Sequence, residues 1–203
     1  MRIDHRPMMN LLPFDGKVLY MPYLFDAQTA QHYFNTLRDE INWQQDVVRM
    51  FGKELRTKRK TAWHGDEGIS YTYSKVKRLA LPWTKCLRNI QQKTESTAAQ
   101  PFNAVLLNLY HNGREGMAWH SDDEKEMNPL AEIASISLGA ERIFQFRHKL
   151  SGQIISIRLA HGSLLLMDHA SQVHWQHRLP LVPVRQANQG PRINLTFRNV
   201  LRK

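Results

Sequence analysis

His120, Ser121 and Asp122, just past the middle of the chain, have the types and spacing to hold a metal ion. In an extended segment side chains alternate faces, so His120 and Asp122 present an imidazole nitrogen and a carboxylate oxygen to the same side. A further histidine from a later strand completes a 2-His-1-carboxylate face. That face leaves open positions on Fe(II), as in non-haem oxygenases. Three histidines compete for the place, His169, His174 and His177, and spacing alone does not choose among them. An HxD pair by itself is a weak motif. Its weight comes from a second pattern, Arg192-Ile-Asn-Leu-Thr-Phe-Arg198. On a period-two strand Arg192, Asn194, Thr196 and Arg198 share one face, opposite Ile193, Leu195 and Phe197. Guanidinium forks take carboxylates in bidentate fashion, so this stripe suits a dicarboxylate co-substrate.

The elements that must position these residues are mostly strands. Residues 102–110, 133–138, 142–146, 154–159, 163–167 and 192–200 carry β-branched or aromatic side chains. Turn signals separate them at His111-Asn-Gly113, Gly139-Ala140, Ser151-Gly152 and His161-Gly162. This succession predicts a mainly β fold with flanking helices (α+β), a double-sheet jelly roll. Ahead of it, residues 1–25 read as an extended arm broken by Pro7, Pro13, Gly16 and Pro22, with a short strand over 17–20. Asp26 reads as an N-cap, with Ala30, Phe34, Leu37 and Ile41 at helical spacing behind it. A second helix is predicted over 82–94, with Trp83, Leu87 and Ile90 as its apolar stripe. Residues 26–203 are expected to form one domain.

Composition narrows the partners. The net charge is +10, from 28 basic and 18 acidic residues, which favours a polyanion such as nucleic acid. One cysteine, Cys86, excludes a disulfide framework and fits a reducing compartment. Apolar runs such as Leu164–Met167 are strand-sized, and no signal-peptide pattern opens the chain. Met50-Phe51-Gly52-Lys53 reads as a hairpin tip with an exposed aromatic. Lys53, Arg56, Lys58, Arg59 and Lys60 follow it as a phosphate-tracking edge.

Asn108-Leu-Tyr110, His120-Ser-Asp122, Trp175-Gln-His177 and Arg192-Ile-Asn-Leu-Thr-Phe-Arg198 resemble the AlkB family of 2-oxoglutarate- and Fe(II)-dependent dioxygenases. The likeness runs from about residue 47 to the C-terminus and is closest to the duplex-DNA repair branch of the eukaryotic homologues. It implies a double-stranded β-helix using Fe(II), 2-oxoglutarate and O2, with ascorbate as the reductant in vitro. Among the three histidines it selects His177, because Trp175-Gln-His177-Arg-Leu-Pro180 matches the family's ligand context; the metal set is then His120, Asp122 and His177. By the same resemblance Asn108 and Tyr110 hydrogen-bond the co-substrate carboxylates. Arg198 grips the distal carboxylate, Arg192 and Asn194 enclose the end near the metal, and Thr196 lies beside Arg198.

On the substrate side the resemblance assigns residues about 47–75 to nucleotide recognition. Phe51, with Gly52 and Lys53, plugs the gap left by a flipped nucleotide, an extrusion that chemistry on a base in a duplex requires. Tyr71 and Tyr73 line the pocket for the damaged base, Asp123 touches substrate at the rim, and Glu124 reads an exocyclic amine. Lys58 departs from that branch's pattern. The implied activity is oxidative dealkylation of 1-methyladenine- and 3-methylcytosine-type lesions in DNA; the alternatives are the same chemistry on RNA or a protein side chain, or a non-catalytic nucleic-acid-binding jelly roll, which the presence of all three ligands and both arginines disfavours. The protein is expected to act as a monomer, in the cytoplasm or, in a eukaryote, the nucleus.

Overall fold

The period-two patterns resolve into two antiparallel sheets that pack face to face. The computed structural model describes residues 9–50, 53–73, 76–183 and 189–201, without the side chains of 46–50, 53–55, 71–73 and 76–78. The larger sheet runs, edge to edge, β1 (Val18–Met21), β11 (Ser163–Met167), β8 (Ile133–Gly139), β13 (Arg192–Arg198), β6 (Ala104–Tyr110), β3 (Lys53–Gly65) and β2 (Gln44–Met50). The smaller runs β10 (Ile154–Leu159), β9 (Arg142–His148), β12 (Trp175–Leu179) and β7 (Met117–His120). A separate hairpin pairs β4 (Ser70–Tyr73) with β5 (Val76–Leu79). This is the expected jelly roll.

The outer face of the large sheet is apolar and carries two helices. Asp26 caps α1 (Ala27–Glu40) by accepting from Thr29 N–H, as its sequence predicts. Ala30, Phe34 and Leu37 of α1 pack with Leu87 and Ile90 of α2 (Lys85–Ala98) against Leu107, Ile193, Leu195 and Phe197. Each fully buried leucine or phenylalanine contributes about 1.5–3 kcal/mol. The start of α2 falls later than expected because Thr84, not a residue before Pro82, supplies the cap by accepting from Leu87 N–H. From Leu12 on, the N-terminal arm belongs to the domain: Leu12 and Val18 are buried, and β1 forms the edge of the large sheet against β11.

The bounds of β7 and β12 and the presence of the short helix α3 (His169–His174), capped by Asp168, were not foreseen. All three carry or buttress the histidines under consideration. Between the sheets the space is divided. One end is filled by Val18, Ile133, Phe146, Leu159, Leu165, Met167 and Trp175. The other end is an open cavity of about 550 Å³.

Candidate active site

The floor of that cavity is built by strand register. Residues directly opposite in an antiparallel ladder share a face. Arg192 lies opposite Tyr110 and Gly139, Asn194 opposite Asn108 and Ser137, and Thr196 opposite Leu106 and Ser135. Three adjacent strands therefore turn Asn108, Tyr110, Ser135, Arg192, Asn194 and Thr196 inward together, while Ile193, Leu195 and Phe197 face the helices.

The opposite wall carries the metal-binding candidates. The donor atoms of His120, Asp122 and His177 lie within 4.8 Å of one another. His120 and His177 are partners across the β7–β12 ladder, with ring centroids 4.3 Å apart. Each histidine Nε2 stands 3.9 Å from a different oxygen of Asp122. His120 Nδ1 donates to the Ala118 carbonyl at 2.8 Å. A carbonyl can only accept, so that contact fixes the tautomer and leaves the Nε2 lone pair for an ion. Asp122 N–H donates to Gln172 Oε1 at 3.0 Å and Ser121 Oγ to the Trp175 carbonyl at 3.0 Å, which fasten the segment after β7 to α3 and β12. The His177 ring lies against Phe144 and Phe146. His169 and His174 lie on α3, outside the triad, so the structure brings His177 to the centre and not the other two.

Charges follow from burial. Burial, and then the neighbouring His120, pushes the His177 imidazole down to about 3, so it is a neutral ligand at pH 7. Burial alone raises the Asp122 carboxyl, but the Arg198 guanidinium and the two imidazoles outweigh it and hold its pKa below the ordinary value. Arg198 Nη2 donates to Asp122 Oδ1 at 2.8 Å and Nη1 stands 3.7 Å from Glu124. Arg198 therefore stands at the metal end, and the positions expected for the two arginines are reversed. Arg192 sits at the far end of β13, donating to Ser137 Oγ at 2.9 Å with its guanidinium over the Tyr110 ring. It is 2% exposed, its Nε has no hydrogen-bond partner, and burial pushes its pKa down to about 10. A buried guanidinium in that condition is a cation awaiting an anion.

The profile of the 2OG-Fe(II) oxygenase superfamily matches residues 17–198. Human DNA oxidative demethylase ALKBH2 is 39% identical over 189 residues, covering 88% of this chain and 71% of the relative. The chain belongs to the AlkB family of this superfamily. A second human relative, alpha-ketoglutarate-dependent dioxygenase alkB homolog 3, is 34% identical over 195 residues, covering 91% of this chain and 66% of its own. A solved structure, that of OsALKBH1, superposes with a TM-score of 0.59 at 12% identity, covering 90% of this chain and 97% of that one, and shows the shared fold.

As an AlkB-family member the protein is an Fe(II)- and 2-oxoglutarate-dependent dioxygenase. Its residues fit both groups: two imidazoles and a carboxylate converge, and Arg192 is a buried cation in the same cavity with no carboxylate partner among the described residues. Asn108 Oδ1 accepts from Arg59 Nε at 3.0 Å, so its amide nitrogen remains a donor for a ligand. Asn194, which also lines the cavity, donates to Ser135 Oγ and the Ile136 carbonyl and accepts from Thr196 Oγ1, which fixes it on the floor.

The substrate side of this AlkB-family protein departs from expectation at Arg59. Along the basic run Arg56, Lys58 and Lys60 are exposed, but Arg59 is buried against Asn108 and lines the cavity, because strand alternation turns it inward. It is not part of a phosphate-tracking edge. Glu124 lines the cavity beside Arg198, whereas Asp123 is exposed at its edge. Phe51 and Gly52 lie outside the described residues; β2 and β3 pair as far as Met50 and Lys53 on either side of them. The side chains of Lys53, Tyr71 and Tyr73 are likewise not described, though the backbone of β4 pairs Tyr71 with Arg78. Sequence reasoning missed Gln172 and Phe144. The signal for Phe144 was its i−2 relation to the core residue Phe146 on β9; Gln172 sits in a helix that no periodicity announced.

Proposed function

We propose that this oxygenase removes N-alkyl groups from bases of DNA, of the 1-methyladenine and 3-methylcytosine type. The observation that carries the reading is the conjunction, in one cavity, of the His120–Asp122–His177 cluster with the uncompensated Arg192. The similarity to ALKBH2 supplies the substrate class.

In this reading His120, Asp122 and His177 hold iron, and the Asp122–Arg198 bond orients the carboxylate ligand. Arg192 receives the distal carboxylate of 2-oxoglutarate, with Asn108 and Tyr110 beside it. Arg198, at the metal end, faces the carboxylate nearer the iron, and Thr196 braces Asn194 beneath it. Iron(II), 2-oxoglutarate and O2 together supply the oxidation, in which succinate and carbon dioxide form as one oxygen atom enters the N-alkyl C–H bond. The resulting N-hydroxyalkyl base then loses an aldehyde and regains its N–H or lone pair. Phe144 and Phe146 keep water from one side of His177. Glu124 and Asp123 place negative charge near the cavity mouth, which suits a base made cationic by alkylation better than a neutral one. Phe51, Gly52, Lys53, Tyr71 and Tyr73 are proposed to flank the flipped base, the first three where β2 gives way to β3 and the tyrosines on β4, whose partner β5 ends at Leu79 on the cavity wall.

The test is mass spectrometry of oligonucleotides carrying one 1-methyladenine, incubated with Fe(II), 2-oxoglutarate and ascorbate. A loss of 14 Da that requires 2-oxoglutarate is expected on DNA. Loss confined to RNA of the same sequence, or none on either, overturns the proposal.

A further inference from the structure

A second group of metal-ligating side chains lies apart from the iron site, where the N-terminal turn meets the smaller sheet. Donor atoms of Asp15, His148 and His174 lie within 4.8 Å of one another. His148 is only 4% exposed, its Nε2 makes no hydrogen bond, and Asp15 Oδ2 stands 3.3 Å from that nitrogen. Ser151 offers Nδ1 both an acceptor, its Oγ at 3.0 Å, and a donor, its N–H at 3.1 Å. Either tautomer is thus supported, and in one of them the Nε2 lone pair faces Asp15 and His174.

None of the three ligands belongs to the iron triad, and contacts of their own hold them. Asp15 adopts a left-handed conformation, φ 50°, that non-glycine residues seldom take. The turn around it is pinned on both sides: the Phe14 carbonyl accepts from Trp175 Nε1 at 3.2 Å, and the Gly16 carbonyl accepts from Asn10 Nδ2 at 3.0 Å. The Phe14 ring packs edge-on to His148 at 5.0 Å. The carbonyl of His174 accepts from Lys149 N–H at 2.8 Å, tying the end of α3 to the residue after His148. Ordering two imidazoles and a carboxylate around a buried nitrogen that makes no hydrogen bond has a cost that a bound cation offsets.

We infer that Asp15, His148 and His174 form a second divalent-metal site, of zinc type, that clamps the N-terminal turn onto the jelly roll. Two histidines and one carboxylate are a three-ligand set that leaves a further position for water, and zinc takes such sets tetrahedrally. Asp15 is exposed, which gives the ion an entry path.

The test counts zinc by equilibrium dialysis and elemental analysis, with ZnSO4 as the probe. A His120→Ala background weakens the iron triad, so that the second site is read alone. That protein is expected to hold one zinc per chain, and to lose it when either Asp15→Asn or His174→Gln is added. Zinc should also raise the melting temperature of the His120→Ala protein and leave the two double variants unmoved. Two outcomes overturn the inference: no zinc on the His120→Ala protein, or one zinc retained in both double variants. Asp15→Asn is an exposed, isosteric change, and matching melting temperatures without zinc confirm that the variants are folded.

Discussion

Arg192 offers a test in which binding and stability should move in opposite directions. It is buried, lacks a carboxylate partner among the described residues, and leaves Nε without a hydrogen bond. Burial pushes its pKa down to about 10, well below the ordinary guanidinium range. At 1.36 kcal/mol per pKa unit, that puts roughly 3 kcal/mol of destabilisation on keeping the group charged in the metal- and co-substrate-free fold. Arg192→Met removes this cost and replaces the stem with apolar atoms. Against it stands the Ser137 hydroxyl left without its donor, about 1 kcal/mol. The apo protein should therefore be as stable as wild type or up to about 2 kcal/mol more so, by urea unfolding. Binding of 2-oxoglutarate should suffer, since truncating one partner of a buried charge pair costs about 2–5 kcal/mol, tens- to thousands-fold in Kd. Calorimetric titration of 2-oxoglutarate into Mn(II)-loaded protein reads that loss without turnover. Arg192→Lys keeps the charge but not the fork and should fall between the two. An unchanged Kd for 2-oxoglutarate in Arg192→Met would refute the assignment, and a large loss of apo stability would make Arg192 a structural residue.

Three further outcomes are expected. His177→Ala should abolish Fe(II)-dependent turnover and iron retention, while His169→Ala, at the start of α3 and outside the cluster, should keep both; the reverse result would move the ligand. The folded pKa of His177, about 3, lies below its ordinary 6.5, so between these values the unfolded chain binds a proton that the folded chain does not. Stability of the metal-free protein should then be fully present above pH 6.5 and fall toward pH 3, by up to about 1.4 kcal/mol per pH unit from this group. Urea unfolding at several pH values should show a shallower acid slope for His177→Gln, and parallel slopes would remove His177 as the cause. Phe51→Ala should slow dealkylation of duplex DNA by about ten- to a hundredfold and that of a single strand little, because only a duplex has a stack to fill. Equal losses on matched oligonucleotides would make Phe51 a general contact.

What the sequence made legible was what period and capping encode locally. The polar stripe from Arg192 to Arg198 faces inward as alternation requires, and Asp26 caps α1 because a short carboxylate can reach Thr29 N–H. The jelly roll followed from a succession of short strands rich in β-branched and aromatic residues, separated by turn signals. The bounds of β7 were not legible because Met117-Ala-Trp-His120 is only four residues long, and its Trp119 is covered by Arg147 and Arg178, at 4.6 and 4.4 Å, instead of by an apolar partner. α3 was hidden for a similar reason. Its six residues are too few to show a period, yet its ends set His169 and His174 apart from His177.

The reversal of the two arginines shows most clearly where one-dimensional reasoning runs out. Alternation tells which face Arg192 and Arg198 share, but not which end of β13 meets the metal. That is decided by the segment after Asp122. It crosses the far end of the sheet, where Met127 bridges Val200, Asn128 N–H donates to the Asn199 carbonyl and Leu201 N–H to that of Glu126. The crossing carries Asp122 and Glu124 to Arg198 and leaves Arg192 at the opposite end with Tyr110 and Ser137. The same long-range pairing explains why the two guanidinia differ. Arg198 gains a carboxylate within the chain, so its charge is compensated by the fold. Arg192, beside the Ser137 hydroxyl and the Tyr110 ring, has no carboxylate partner among the described residues, which is the basis for proposing it as the group that receives the co-substrate.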